Sequence, residues 1–279
     1  MRILLAGGAG AIGRELTPRL VQAGHDVWAT SRSSAKSSAI AAFGAHPTVM
    51  DVYDGDSVEA AFVAARPQVV IHELTDLSDY DVAANARIRI EGTRTLVDAA
   101  VRHGVQRMVA QSISWVVPFG ETLATEREPF RDGLTPGVRE LEDAVLALDS
   151  GVVLRYGQLY GPGTWRAQDG LDAVAAREGR LSAMAEIMDF VHVSDAATAT
   201  VLALDWPRGV INVVDDEPAH AADWMPVFAD SVGAPAPAIP SGLPLGRPVS
   251  NALARSLGWR PRYASWRVGF VAQEGDSAS

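Results

Sequence analysis

A glycine-rich turn near the amino terminus is the segment of this sequence best suited to hold a ligand. Residues 7–13 read Gly-Gly-Ala-Gly-Ala-Ile-Gly, directly after a short apolar run at residues 3–6 and directly before a segment of helical period at residues 12–23. Such glycines permit a tight turn, a close approach of the backbone to a diphosphate and close helix–strand packing, and the helix amides hold the anion. The pattern predicts a dinucleotide site, and an empty glycine turn is the alternative. The expected contacts are Gly7, Gly10, Ala11, Ile12 and Gly13.

The residues after the second and third predicted strands indicate which nucleotide is bound. NAD sites usually have an acidic residue after the second strand, whereas this chain has Ser31 and Arg32. A guanidinium fits the 2′-phosphate of NADP and a serine adds a hydrogen bond, so we predict NADP over NAD. A solvated surface role for Arg32 is the alternative. Asp51 and Val52 are predicted to contact the adenine, although an ordinary turn aspartate explains Asp51 nearly as well.

Short β-branched runs alternate along the chain with longer segments of helical period. This alternation is typical of βαβ units around a parallel sheet. Strands are predicted over residues 3–6, 26–30, 48–50, 69–72, 107–111, 152–155 and 210–214. Helices are predicted over residues 12–23, 57–65, 87–103, 138–148 and 194–203. We therefore predict an α/β fold with a Rossmann-type doubly wound parallel sheet.

The carboxyl-terminal part of the sequence has a different pattern. Residues 233–248 are rich in proline and glycine, which predicts a loop or extended strap. A short helix is predicted over residues 251–257, and the last residues, 275–279, are expected to be disordered. Four aromatic side chains are expected to pack this tail onto the body: Trp259, Tyr263, Trp266 and Phe270.

Composition excludes several classes of protein. The chain has 279 residues, of which 48% are hydrophobic, and 24 basic against 34 acidic residues give a formal charge of −10. Such a charge opposes binding to nucleic acid and anionic lipid. The sequence has no cysteine, and its six histidines show no metal-ligand spacing. We therefore expect no bound metal. No apolar stretch is long enough to span a membrane, so we expect a cytoplasmic protein.

The chain resembles the extended short-chain dehydrogenase/reductases, a family of NAD-dependent epimerases, dehydratases and reductases. The glycine spacing carries the resemblance, and further family motifs follow in the same order along the chain. They lie at residues 70–75, 91–96, 154–162, 189–195 and 257–261.

The resemblance implies additional site residues and a division of the chain. Residues 1–156 and 188–215 would form the dinucleotide-binding core, and residues 157–187 and 216–279 a smaller substrate-capping lobe. A homodimer is a weaker implication. Further cofactor contacts are implied at Leu74, Thr75, Gln111, Tyr156, Gly157 and Gln158.

One family motif is missing. Members of the family protonate their substrate with a tyrosine, helped by a lysine four residues later, and none of the five tyrosines here, Tyr80 included, has such a lysine. Leu134 and Val138 stand at the positions of the tyrosine and the lysine.

Ser112 or Ser114 could still orient a substrate, and a serine bonded to backbone is the alternative. Arg89 replaces the usual asparagine of the central helix, with a structural salt bridge as its alternative role.

An intact cofactor turn beside a missing proton donor favours an NADPH-dependent ketoreductase. The chain is similar to atypical extended members that reduce aromatic polyketides such as angucyclinones. A polycyclic aromatic ketone with a neighbouring phenol could assist its own protonation, which general acid catalysis otherwise accelerates about 10²- to 10⁴-fold. A non-catalytic NADP-binding sensor is the second hypothesis. The third is a redox-neutral epimerase or dehydratase, with Glu186, Asp189 and His192 as candidate acids and bases.

Overall fold

The computed structural model describes residues 1–75 and 81–272. The predictions that involve Tyr80 and residues 275–279 lie outside this part of the chain. The strands are β1 (Arg2–Ala6), β2 (Asp26–Ser31), β3 (His46–Val49), β4 (Val69–His72), β5 (Arg107–Ile113), β6 (Ser150–Tyr156), β7 (Gln158–Tyr160), β8 (Ile187–Met188), β9 (Phe190–His192), β10 (Gly209–Val213) and β11 (Ala219–His220). The helices are α1 (Ala11–Gln22), α2 (Ser37–Ala42), α3 (Gly55–Ala65), α4 (Val82–Arg87), α5 (Thr93–Arg102), α6 (Val138–Leu146), α7 (Leu171–Arg177), α8 (Val193–Leu202), α9 (Ala221–Ser231), α10 (Ala252–Ser256) and α11 (Trp266–Val271).

Seven strands form the central sheet, in the order β10-β6-β5-β4-β1-β2-β3. β1 lies between β2 and β4, and Ile3 is in parallel register with Val27 on one side and Val69 on the other. The order in which successive strands are added to the sheet therefore reverses between β1 and β4. Ligands of open α/β sheets bind at such a switch point, outside the carboxyl ends of the strands. The predicted Rossmann-type sheet is confirmed.

The chain folds into two compact units, leaving aside residues 76–80 and 273–279. The first contains residues 1–112, 134–154 and 197–211, and the second residues 113–133, 155–196 and 212–279. The core of the first unit packs apolar strand residues such as Leu4, Val70 and Met108 against helix residues such as Phe62 and Leu96.

An aromatic cluster forms the core of the second unit. Tyr160, Phe190, Trp224, Trp266 and Phe270 pack together, and each is at most 5% exposed. The indole of Trp259 is also buried, and its Nε1 donates to the carbonyl of Asp195 at 3.1 Å. The expected packing of the aromatic tail is confirmed, and residues 233–248 contain neither helix nor strand.

Some elements differ from the sequence-based predictions. The helix predicted over residues 87–103 begins earlier, at Val82, and contains a π-helical turn at Ile88–Gly92 between α4 and α5. The strand predicted over residues 48–50 begins two residues earlier and ends one residue earlier, because it pairs with β2 through His46 to Val49. No described helix combines the length and the apolar character needed to cross a membrane.

Candidate active site

The glycine turn is packed so closely that side chains are excluded from it. A Cβ atom at Gly7, whose φ is +97°, would lie 2.7 Å from the carbonyl oxygen of Glu73. One at Gly8 would lie 2.6 Å from Cβ of Ala29, and one at Gly13 only 2.2 Å from the carbonyl oxygen of Gly7. The turn therefore depends on glycine at these positions.

The amino terminus of α1 is left open toward a ligand. Gly10 is the N-cap and gives no side-chain hydrogen bond, so the amides of Ala11, Ile12 and Gly13 have no acceptor within the helix. A Cβ at Gly10 would meet only the oxygen of Gly7, at 3.3 Å. Amides and a bare backbone at the positive end of a helix fit a diphosphate.

The segments predicted to select the nucleotide lie beside this turn. The amide of Gly8 donates to the carbonyl of Thr30 at 3.0 Å, at the end of β2, and the amide of Met50 donates to the carbonyl of Ser31 at 3.1 Å. Arg32 is exposed. Asp51 is exposed as well, and its Oδ1 accepts from the amide of Tyr53 at 3.0 Å, as a turn aspartate would.

A buried polar network at the end of β4 supports the segment that contains Leu74 and Thr75. Nδ1 of His72 accepts from the amide of Leu74 at 3.2 Å, so Nε2 carries the proton and donates to Oγ1 of Thr93 at 3.0 Å. Burial lowers the pKa of His72 to about 4, so the ring is neutral at neutral pH. Sequence reasoning missed this network, although a histidine in an otherwise apolar strand was a usable signal.

The segment that lacks the tyrosine and lysine is apolar. Leu134 is half-buried in the loop before α6, and Val138, the first residue of α6, is 1% exposed. One turn further along, Oε1 of buried Glu142 accepts a 2.6 Å hydrogen bond from Oγ of Ser112. The single hydroxyl proton of Ser112 is directed to Glu142, so this serine can accept a hydrogen bond from a substrate but not donate one.

The salt bridge considered for Arg89 is not found among the residues that the structure describes. Arg89 is half-buried on the π-helical turn, and burial lowers the pKa of its guanidinium. Gln111, the other predicted site residue near the end of β5, is buried, and its Nε2 has no partner in the described part of the chain.

The remaining predicted cofactor and substrate residues belong to the second unit. The amide of Ser114 donates to the carbonyl of Tyr156 at 2.9 Å, while Oγ of Ser114 is buried without a hydrogen-bond partner within residues 1–75 and 81–272. A Cβ at Gly157 would lie 2.8 Å from the carbonyl oxygen of Asp189. Oε1 of Gln158 accepts from Arg166 at 3.2 Å.

The three candidate acids and bases of the epimerase hypothesis are in different surroundings. Burial raises the pKa of Asp189 to about 7, and its carboxylate accepts from the amide of Val249. Nδ1 of His192 bonds Ser194 at 2.8 Å, and Glu186 is exposed. The contacts of Asp189 and His192 are structural ones.

A family assignment follows from these motifs and a comparison with known proteins. Residues 3–214 match the model of the NAD dependent epimerase/dehydratase family. The chain belongs to this family. The resemblance to extended short-chain dehydrogenase/reductases is thereby confirmed, and the protein is an NAD(P)-dependent oxidoreductase of that type, a reductase or epimerase acting on a small molecule.

Named relatives include several reductases. A 3-diazoavenalumate denitrifying reductase of a Streptomyces species is 40% identical, and the match covers 96% of this chain and 99% of that protein. A probable dTDP-4,6-dihydroxy-2-methyloxan-3-one 4-ketoreductase of Streptomyces antibioticus is 31% identical over 58% of this chain and 52% of the relative. Among solved structures, a UDP-glucose 4-epimerase of Thermus thermophilus in complex with NAD has a TM-score of 0.79 at 25% identity and covers 97% of both chains.

Proposed function

We propose that this protein is an NADPH-dependent reductase that delivers a hydride to an aromatic substrate without a proton donor at the usual tyrosine position. The observation that carries the proposal is the apolar pair Leu134 and Val138 in a chain whose glycine turn is suited to hold a dinucleotide. The residues that would hold the coenzyme are the turn and the first amides of α1. Arg32 and Ser31 support NADP, whereas the solved epimerase relative carries NAD.

The missing donor limits the reactions that the site can accelerate well. When bound, the reduced nicotinamide supplies a hydride. Reduction of a ketone to an alcohol consumes a proton in addition, and a tyrosine normally donates it. A reaction that consumes only the hydride needs no such donor, and apolar side chains at these positions are then no disadvantage.

Removal of dinitrogen from an arene diazonium ion is such a reaction. The diazonium ion and a hydride together give the arene and dinitrogen: the carbon–nitrogen bond breaks, a carbon–hydrogen bond forms, and no proton is taken up. The relative at 40% identity is named as a denitrifying reductase of a diazo compound. A diazo-substituted arene is therefore the first candidate substrate of this chain.

A ketone of a polycyclic aromatic substrate is the second candidate. The 31% identical ketoreductase supports carbonyl reduction, and a phenol beside the ketone would supply the proton that the protein lacks. In both cases, we assign substrate selection to residues 157–187 and 216–279, and binding of the coenzyme to residues 1–156 and 188–215.

The proposal is tested by following nicotinamide absorbance with purified protein and NADPH. The substrates are 3-carboxybenzenediazonium, a naphthol with a neighbouring acetyl group, and the methyl ether of that naphthol. We expect oxidation of NADPH with the diazonium ion, well above the rate without protein. Oxidation with the naphthol but not with its methyl ether would assign the second candidate. Binding of NADPH without oxidation by any substrate would contradict the proposal and favour a sensor.

A further inference from the structure

Arg89 and Val138 lie on two neighbouring helices, at similar distances beyond the carboxyl edge of the central sheet. Arg89 is four residues before Thr93, whose hydroxyl bonds His72 at the carboxyl end of β4. Val138 is four residues before Glu142, which bonds Ser112 near the carboxyl end of β5. Because a helical turn rises about 5.4 Å, both residues lie about one turn beyond the sheet edge where ligands of such folds bind.

Gly137 allows these two helices to pack closely together at the level of Arg89 and Val138. Its φ is +79°, and a Cβ on it would lie 2.8 Å from Cβ of Arg89 and 2.9 Å from the carbonyl oxygen of Ala86. Only glycine allows so close an approach. Arg89 therefore packs against the residue directly before Val138, the position at which family members have a lysine, and its cationic side chain comes from a different helix.

The charge of Arg89 is not balanced by a carboxylate in the described residues, although the whole chain is acidic. Arg87, two residues earlier, is exposed and pairs with Glu91 at 2.8 Å. Arg89 is half-buried and has no ion pair or hydrogen bond within residues 1–75 and 81–272. A guanidinium does not lose its proton, and burial of an unpaired charge is unfavourable. A bound anion would remove this penalty.

The cofactor is a poor source of that anion. Its phosphates fit the amino terminus of α1, beside β1, and β5 lies two strands away in the sheet. The ribose and nicotinamide that would extend toward β5 carry no negative charge. The substrate is then the candidate source of an anion, and the 40% identical relative is named for an acid anion, 3-diazoavenalumate.

We propose that Arg89 binds a carboxylate of the aromatic substrate through paired guanidinium hydrogen bonds. This inference rests on the proposed function and specifies its substrate class as aryl carboxylates. A π-helical turn is a frequent feature of functional sites, and here it carries the residue that would recognise the ligand. The geometry of a guanidinium matches a carboxylate better than that of an ammonium group.

The test measures binding and does not require turnover. Cinnamate and its uncharged amide are titrated into the protein saturated with NADP⁺. We expect wild-type protein to prefer cinnamate and Arg89→Met to bind it about 10- to 100-fold more weakly, with no change for the amide. Arg89→Lys should recover part of the loss. Arg87→Met, which removes an exposed cation two residues away, is the matched control and should bind both ligands as wild type does.

Three outcomes would overturn the assignment: equal binding of cinnamate and its amide by wild type, unchanged cinnamate binding by Arg89→Met, or weakened NADP⁺ binding by that variant. The last would make Arg89 a cofactor residue. Failure of the proposed function has a different signature, because it leaves these affinities unaffected and removes only the oxidation of NADPH.

Discussion

Arg32 is the side chain on which the proposed preference for NADP over NAD depends. It follows β2 directly, beside the glycine turn, and it is exposed. We expect Arg32→Ala to weaken NADPH binding about 10- to 100-fold, since a charged hydrogen bond to the 2′-phosphate is lost, and to leave NADH binding unchanged. Calorimetric titration of both coenzymes measures this. Arg94→Ala, which removes an exposed cation on α5, is the control; an equal loss for NADPH and NADH would contradict the prediction.

Single residues of the site were predictable from sequence only where a local motif contained them. The residues of the glycine turn lie within seven positions, and their spacing alone indicates a dinucleotide. Ser112 and Glu142 are 30 positions apart, so no spacing rule links them, and their hydrogen bond changes what Ser112 can do. The proximity of Gly137 to Arg89 likewise depends on how two helices pack.

The amino terminus of α1 is packed tightly against the glycine turn that follows β1. In Gly13→Ala, the new methyl group would lie 2.2 Å from the oxygen of Gly7, so the turn must shift. We expect a loss of about 1–3 kcal/mol in the free energy of unfolding, as for other overpacked sites, together with at least tenfold weaker coenzyme binding. Urea unfolding and coenzyme titration measure the two effects.

Gly55→Ala is the matched control for that substitution. Gly55 begins α3, and a Cβ there would meet no atom within 4 Å. We expect unchanged coenzyme binding and equal or slightly greater stability, because alanine restricts the unfolded chain. If both alanine variants behaved alike, close packing of the turn would not be the cause of the losses expected for Gly13→Ala.

Helices and strands with a clear pattern of apolar residues were predicted well, and those that depend on packing with distant residues were not. β4 was predicted with the observed bounds because its first three residues are apolar and β-branched. The π-helical turn at Ile88–Gly92 has no distinctive composition, and the helical periodicity continues through it. α9 contains Pro226, so local propensity argued against this helix, and burial of its aromatic residues stabilises it.

Buried carboxyl groups make the stability of the protein depend on pH. Burial raises the pKa of Asp215 to about 9, against 3.8 in an unfolded chain. Between these values the folded state holds a proton that the unfolded state releases. The free energy of unfolding therefore falls as pH rises through this range, by up to roughly 1.4 kcal/mol per pH unit for this one group.

Asp215→Asn removes this titration and retains an oxygen for the amide of Glu217. We expect the variant to gain stability relative to wild type as pH rises from 5 to 8, measured by urea unfolding at several pH values. Asp230→Asn, on an exposed aspartate, should give a difference that does not change with pH. A constant difference for Asp215→Asn as well would show that its carboxyl group is ionised in the folded protein.

The central claim is that the reduction proceeds without a proton from the protein. The most direct measurement follows NADPH oxidation, dinitrogen release and proton uptake together, in weakly buffered solution with 3-carboxybenzenediazonium. We predict one dinitrogen and one arene for each NADPH oxidised, with no net proton uptake. Oxidation no faster than without protein, or uptake of one proton for each NADPH, would contradict the claim.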